Sequence, residues 1–87
     1  MPSIHELKIW PEFFEPVFQG KKNFELRFDD RRFEVGDELH LREYVPATNQ
    51  YTGREARKTI SYILRGNKRL EQGYVIMSFS NGNGMPS

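Results

Sequence analysis

The stretch from Gly20 to Arg27 reads GKKNFELR and sets Lys22, Glu25 and Arg27 close together. A lysine and an arginine are the usual partners of phosphate, and a carboxylate accepts hydrogen bonds from amines and hydroxyls. The stretch alternates, so Glu25 and Arg27 fall on one side of a strand and Phe24 and Leu26 on the other. With Phe24, Leu26 and Phe28 directed into a core, Glu25 and Arg27 face outward beside Asn23. Upstream, IHELKI also alternates: Leu7 and Ile9, with His5, point inward, and Lys8 and Trp10 point out. If these two strands are neighbours, Lys8, Trp10, Glu25 and Arg27 share a face, and Lys22 enters it from the end of the preceding segment. Such a set offers a flat plate for stacking, a carboxylate for an exocyclic amine or sugar hydroxyl, and cations for phosphate. Those are the parts that hold a base or nucleoside. A wet cross-strand pair worth roughly 0–1 kcal/mol uses the same residues, so composition alone leaves both readings open.

The elements that must carry these residues belong to one small domain. The chain has 87 residues, enough for a single modest core. Its apolar fraction is 37%, yet seven Phe, four Tyr and one Trp supply much of the area to be buried, which favours a β-rich domain over a helical bundle. Without cysteine there are neither disulfides nor thiolate metal sites. Two distant histidines, His5 and His40, leave no metal or cofactor site to propose. No apolar run reaches the roughly 18 residues of a membrane span, and the first residues lack a signal-peptide pattern, so a cytoplasmic protein is expected. Net charge is +1, but Arg54, Arg57, Lys58, Arg65, Lys68 and Arg69 face only Glu55 within their segment. A concentrated basic segment can present a local field to phosphates; a solvated strand and loop is the plainer reading.

After IHELKI, Pro11 suits a first helical turn. Phe13, Phe14, Val17 and Phe18 form an apolar stripe at helical spacing, and Gly20 is a natural stop. Pro16 predicts a kink or restart in this two-turn helix. Strands follow at NFELRF, ELHLREY after the Gly36-Asp37 turn, EARKTISYIL and YVIMSFS; DDRR, VPATNQYTG and RGNKRLEQG connect them. Leu39 and Leu41, then Ile60, Tyr62 and Leu64, then Val75, Met77 and Phe79 give the inward faces. The expectation is a mainly β (α+β) domain over residues 1–80, a five-stranded barrel with one or two short helices, and a frayed tail at 81–87. His5 alternates with the inward set and reads as a hydrogen-bonded structural histidine, while His40 faces out among charges. Ser61, Ser78 and Ser80 have no partners that would make a nucleophile.

G-x-K-x-x-E-x-R, here Gly20, Lys22, Glu25 and Arg27, resembles the signature of the ASCH domains (activating signal cointegrator homology) of the PUA-like superfamily. HELK, the VGD turn, REY, YTGR and the closing GYV-M-S strand extend the likeness from His5 to Ser78, toward a small bacterial and phage ASCH-type family of uncharacterised function. The resemblance implies a PUA-like β-barrel with a helix flanking a cleft lined by Lys22, Glu25 and Arg27. It also implies RNA or a nucleotide as the partner. Lys8, Trp10 and Tyr74 join as neighbours by the facing argument, and the basic positions from Arg54 to Arg69 extend the contact. Some similar proteins are amidohydrolases acting on acetylcytidine through a lysine, a threonine and a glutamate. Lys22 matches the lysine, but Glu25 stands where the threonine is expected, and a carboxylate there favours the charged lysine over the free amine that catalysis needs. The readings are therefore a nucleic-acid-binding module first, the amidohydrolase second, and a protein-interaction domain, possibly phage-encoded, third.

Overall fold

The computed structural model describes residues 2–81. The chain forms β1 (Ile4–Ile9), α1 (Pro11–Phe18), β2 (Phe24–Phe28), β3 (Glu38–Val45), β4 (Gln50–Leu64) and β5 (Tyr74–Asn81). One five-stranded sheet takes the order β1-β3-β4-β5-β2, with β1 parallel to β3 and every other pair antiparallel. The first two strands are thus not paired neighbours but the two edges of the sheet. The sheet curls into a half-barrel that brings these edges together. Arg27 Nη2 donates to the Lys8 carbonyl at 2.6 Å, and Arg31 Nη1 donates to the Glu6 carbonyl at 3.0 Å. Two guanidiniums therefore lace the seam where a closed barrel would have a ladder.

The core lies inside the curl. Leu7 and Ile9 from β1, Leu39 and Leu41 from β3, Ile60 from β4 and Val75, Met77 and Phe79 from β5 meet there, joined by Phe14 and Val17 of the helix and by Phe33. In the helix stripe, Phe13 and Phe18 stay exposed. The helix runs unbroken through Pro16, where the sequence predicts a kink. Only one helix bond is lost there. The Pro16 carbonyl is re-used at the helix end, accepting from Lys21 N (2.8 Å) and Lys22 N (3.0 Å) while Gly20 N bonds Val17 O (3.0 Å). That is a Schellman end, with Gly20 in the left-handed region at φ 76°.

Three further sequence expectations change. The face of β2 is reversed: Glu25 is 4% exposed, whereas Phe24, Leu26 and Phe28 are 46%, 52% and 54% exposed. The register explains it, since Glu25 and Arg27 lie opposite Met77 and Val75, whose side chains fill the core. The stretch 45–53 is not a long loop: β3 turns at residues 46–49 and β4 starts at Gln50. Tyr62 faces out at 61% exposure, because a register shift between Ile60 and Tyr62 inserts Ser61 and flips the strand that follows. The tail expected to fray lies, from residue 82 on, outside the described residues.

Candidate functional site

A cleft of about 750 Å³ opens over the seam between the two edge strands. Lys8, Ile9 and Trp10 line it from β1 and the start of α1, and Phe13 from the helix. Lys22, Phe24, Glu25, Leu26 and Arg27 line it from β2 and its approach, and Tyr74 from β5. Lys8, Trp10, Lys22, Glu25, Arg27 and Tyr74, singled out from the sequence, thus surround one space. The route differs from the expected one. The edges meet by curling, not by pairing, and Glu25 and Arg27 reach the cleft from the inner face.

Each group is positioned by its element. Trp10 caps α1 with an extended backbone (φ −71°, ψ 152°) immediately before Pro11, so its indole stays outside the helix, 47% exposed. It stacks on Phe13, with ring centroids 6.4 Å apart. The Schellman end turns the chain so that Lys22 points back over β2. Its ammonium pairs with Glu25 Oε1 and lies 5.0 Å from the Phe24 ring and 5.9 Å from the Phe13 ring. Glu25 Oε2 accepts from Arg27 Nε at 2.7 Å. Both carboxylate oxygens are therefore occupied, and the Glu25 side chain has only 5% of its surface in water. Burial of this carboxylate is tolerated because two cations accompany it. Glu25 fixes Lys22 and Arg27 in place at the cleft wall. Lys8 carries its ammonium 4.4 Å from the Tyr44 ring on the β1–β3 face.

Much of the basic segment is engaged elsewhere. Arg54 pairs with Glu43 (Nε to Oε1, 3.0 Å) and with Glu15 of the helix (2.7 Å), and its guanidinium covers the Phe14 and Phe18 rings. Arg57 bonds Glu38 at 2.6 Å, and Arg65 pairs with Asp29 (3.3 Å) and donates to the Phe33 carbonyl. Lys58 is half-buried opposite Leu39 on β4. Lys68 and Arg69 are exposed in the β4–β5 connection. These pairings tie strands and helix together, so the segment is not one continuous basic strip.

Two further carboxylates are structural. Asp37 is buried, and that burial alone would raise its pKa. Hydrogen bonds from His5 (2.8 Å) and from the backbone N–H groups of Ser3 and Glu34 outweigh that and hold it below the usual range. Glu43 is held low chiefly by Arg54 and also by the Thr52 hydroxyl (2.6 Å), against desolvation. His40 bonds Glu55 at 2.6 Å, which lowers the Glu55 pKa. Among the described residues no cluster of three or more His, Asp or Glu is arranged to hold a metal ion, and no helix is long and apolar enough to cross a membrane.

Fold and site define a β-rich domain: a single half-barrel with one helix beside an aromatic, ion-paired cleft at its seam. Residues 4–79 match the model of a family described as "Domain of unknown function (DUF3850)", and the chain belongs to that family. It is also 36% identical over 86 residues to the "Uncharacterized 12.9 kDa protein in GpA 3'region" of Escherichia phage P2, an alignment that covers 99% of this chain and 76% of that protein.

Proposed function

We propose that this domain binds RNA, taking a nucleotide into the cleft beside Lys22 and Arg27. The observation that carries the reading is the set of Trp10, Phe13, Phe24 and Tyr74, drawn from separate elements, around two fixed cations. Aromatic surface left in water beside cations suits a base with its phosphate, and the cleft volume falls within the roughly 300–1,000 Å³ of small-molecule sites. The likeness to ASCH domains of the PUA-like superfamily supports the same ligand class. Trp10 and Tyr74 stack on the base, and Lys22, Arg27 and Lys8 meet phosphate.

Anisotropy of a labelled, mixed-sequence single-stranded RNA tests this. Binding is expected at low salt, with log K falling on log salt by about 0.7 per phosphate contacted. Trp10→Ala and Lys22→Gln, both on the cleft surface, are each expected to weaken it at least about fivefold. No binding at low salt, or binding indifferent to both changes, overturns the reading.

The amidohydrolase alternative needs Lys22 as a free amine. Its nitrogen is tied to Glu25 Oε1 and packed against the Phe24 and Phe13 rings, so those contacts would have to be given up before it could attack a substrate. Acetylcytidine is therefore expected to be left intact; turnover abolished by Lys22→Ala would put the enzyme first. A protein-interaction role ranks third, and a stoichiometric protein partner recovered free of nucleic acid would favour it.

A further inference from the structure

The cleft does not end at Tyr74. A second cavity of about 390 Å³ is lined by Leu26, Arg69, Leu70, Glu71 and Tyr74. Leu26 and Tyr74 line both cavities, so the width of a side chain separates them. Leu26 is 52% exposed and Tyr74 37%, which leaves this shared wall open to a ligand. The β4–β5 connection folds onto the start of β5 through its own bonds. Arg69 N bonds Asn67 Oδ1 (2.8 Å), Leu70 N bonds Asn67 O (3.0 Å) and Tyr74 N bonds Glu71 O (3.0 Å). Those bonds bring the exposed Arg69 and Glu71 to the rim of the second cavity.

Resting on the first cleft as a nucleotide site, we infer that the second cavity is the subsite for the adjoining nucleotide of the same strand. The ligand is then a single-stranded oligonucleotide of at least two residues, not a free nucleotide. Tyr74 stands between consecutive bases, Arg69 meets the backbone, and Glu71 accepts from the exocyclic amine of the second base. Charge supports a strand over a free nucleotide. Lys8, Lys22, Arg27 and Glu25 together carry two net positive charges in the first cleft, and Arg69 and Glu71 in the second carry none. A phosphodiester brings a single negative charge per residue, and that sparse arrangement fits it. The concentrated charge of a triphosphate meets a carboxylate in each cavity.

Trp10 is the one tryptophan of the chain, so its fluorescence reports on the first cleft without a label. The full chain is titrated with the four ribonucleoside 5′-monophosphates, with ATP, and with mixed-sequence dinucleotides and tetranucleotides. The dinucleotides are expected to bind about tenfold tighter than the monophosphates, as one added stacked base allows. Arg69→Gln, a change to an exposed side chain, is expected to remove that gain and leave monophosphate affinity unchanged. If dinucleotides and monophosphates quench equally, or Arg69→Gln weakens both alike, or ATP outcompetes the dinucleotides, the second subsite is wrong and the first cleft stands. If nothing quenches Trp10, both readings fall together.

Discussion

Glu25 shows how much of this cleft is set by one buried side chain. Its two oxygens are taken by Lys22 and Arg27, and Arg27 in turn reaches the Lys8 carbonyl across the seam. A buried carboxylate so placed aligns two cations and ties one sheet edge to the other. The sequence shows which residues gather but not which way they face. FELRF alternates equally well in either sense, and a shift of one residue sends every side chain to the opposite face. The apolar set reads as core, yet β2 sits at an edge, and its register against Val75 and Met77 decides the matter. The reversal is measurable. Met77 is fully buried, so Met77→Ala is expected to cost about 2–5 kcal/mol in urea unfolding. Leu26, half in water, is expected to cost less than about 1 kcal/mol on truncation to Ala. Equal losses at the two positions would mean that Leu26 is core after all.

Between elements, four short motifs, HELK, VGD, REY and YTGR, interlock in pairs. His5 of HELK bonds Asp37 of the VGD turn, and Glu43 of REY is wrapped by Thr52 and Arg54 of YTGR. The second pairing depends on an irregularity: Arg42 pairs Glu55 and Tyr44 pairs Tyr51, leaving Thr52, Gly53 and Arg54 opposite Glu43 alone. That bulge, absent from any period-2 pattern, explains why YTGR reads as loop in the sequence and why Arg54 serves the helix–sheet joint. Phe33 escapes the sequence reading for a related reason. It lies in an irregular segment without a pattern, yet is 1% exposed and packs edge-on against His5 at 4.8 Å. Two glycines separate backbone demand from crowding. A Cβ at Gly20 (φ 76°) would meet nothing within 4 Å, whereas one at Gly73 (φ 89°) would lie 2.5 Å from the Phe28 ring. Gly20→Ala is therefore expected to lose about 1–2 kcal/mol from the left-handed backbone alone. Gly73→Ala is expected to lose more, and to blunt Trp10 quenching by nucleotides through the displaced Phe28, which packs on Tyr74 (centroids 5.6 Å apart). The reverse order in thermal melts would sink this account.

The whole molecule is an open curl whose elements are joined by polar contacts as well as by its core, so its stability should follow the state of its carboxylates. Asp37 anchors the β1 arm to the turn before β3, and Glu43 joins β3, β4 and, through Arg54, the helix. Both have pKa values below the ordinary carboxylate range in the folded chain, and so do the more exposed Glu15 and Glu55. A group whose folded pKa is depressed binds protons more readily when unfolded. Its contribution is complete above the unfolded value and is lost as pH falls through the folded one. The unfolded values are 3.8 for Asp37 and 4.5 for the glutamates. These carboxylates are therefore expected to leave the melting temperature level from pH 7 to about 5. Below about 4.5 it should decline steadily, through the range where Asp37 and Glu43 take up protons. Glu15 and Glu55 are screened by water and should matter less. Thermal melts across this range test the sign, and Glu43→Gln tests the assignment. The variant is expected to be less stable at pH 7 and to show a shallower acid decline, since one of the responsible groups no longer titrates. An acid limb unchanged by that substitution would remove Glu43 from the account and leave Asp37, with its three donors, to hold the curl alone.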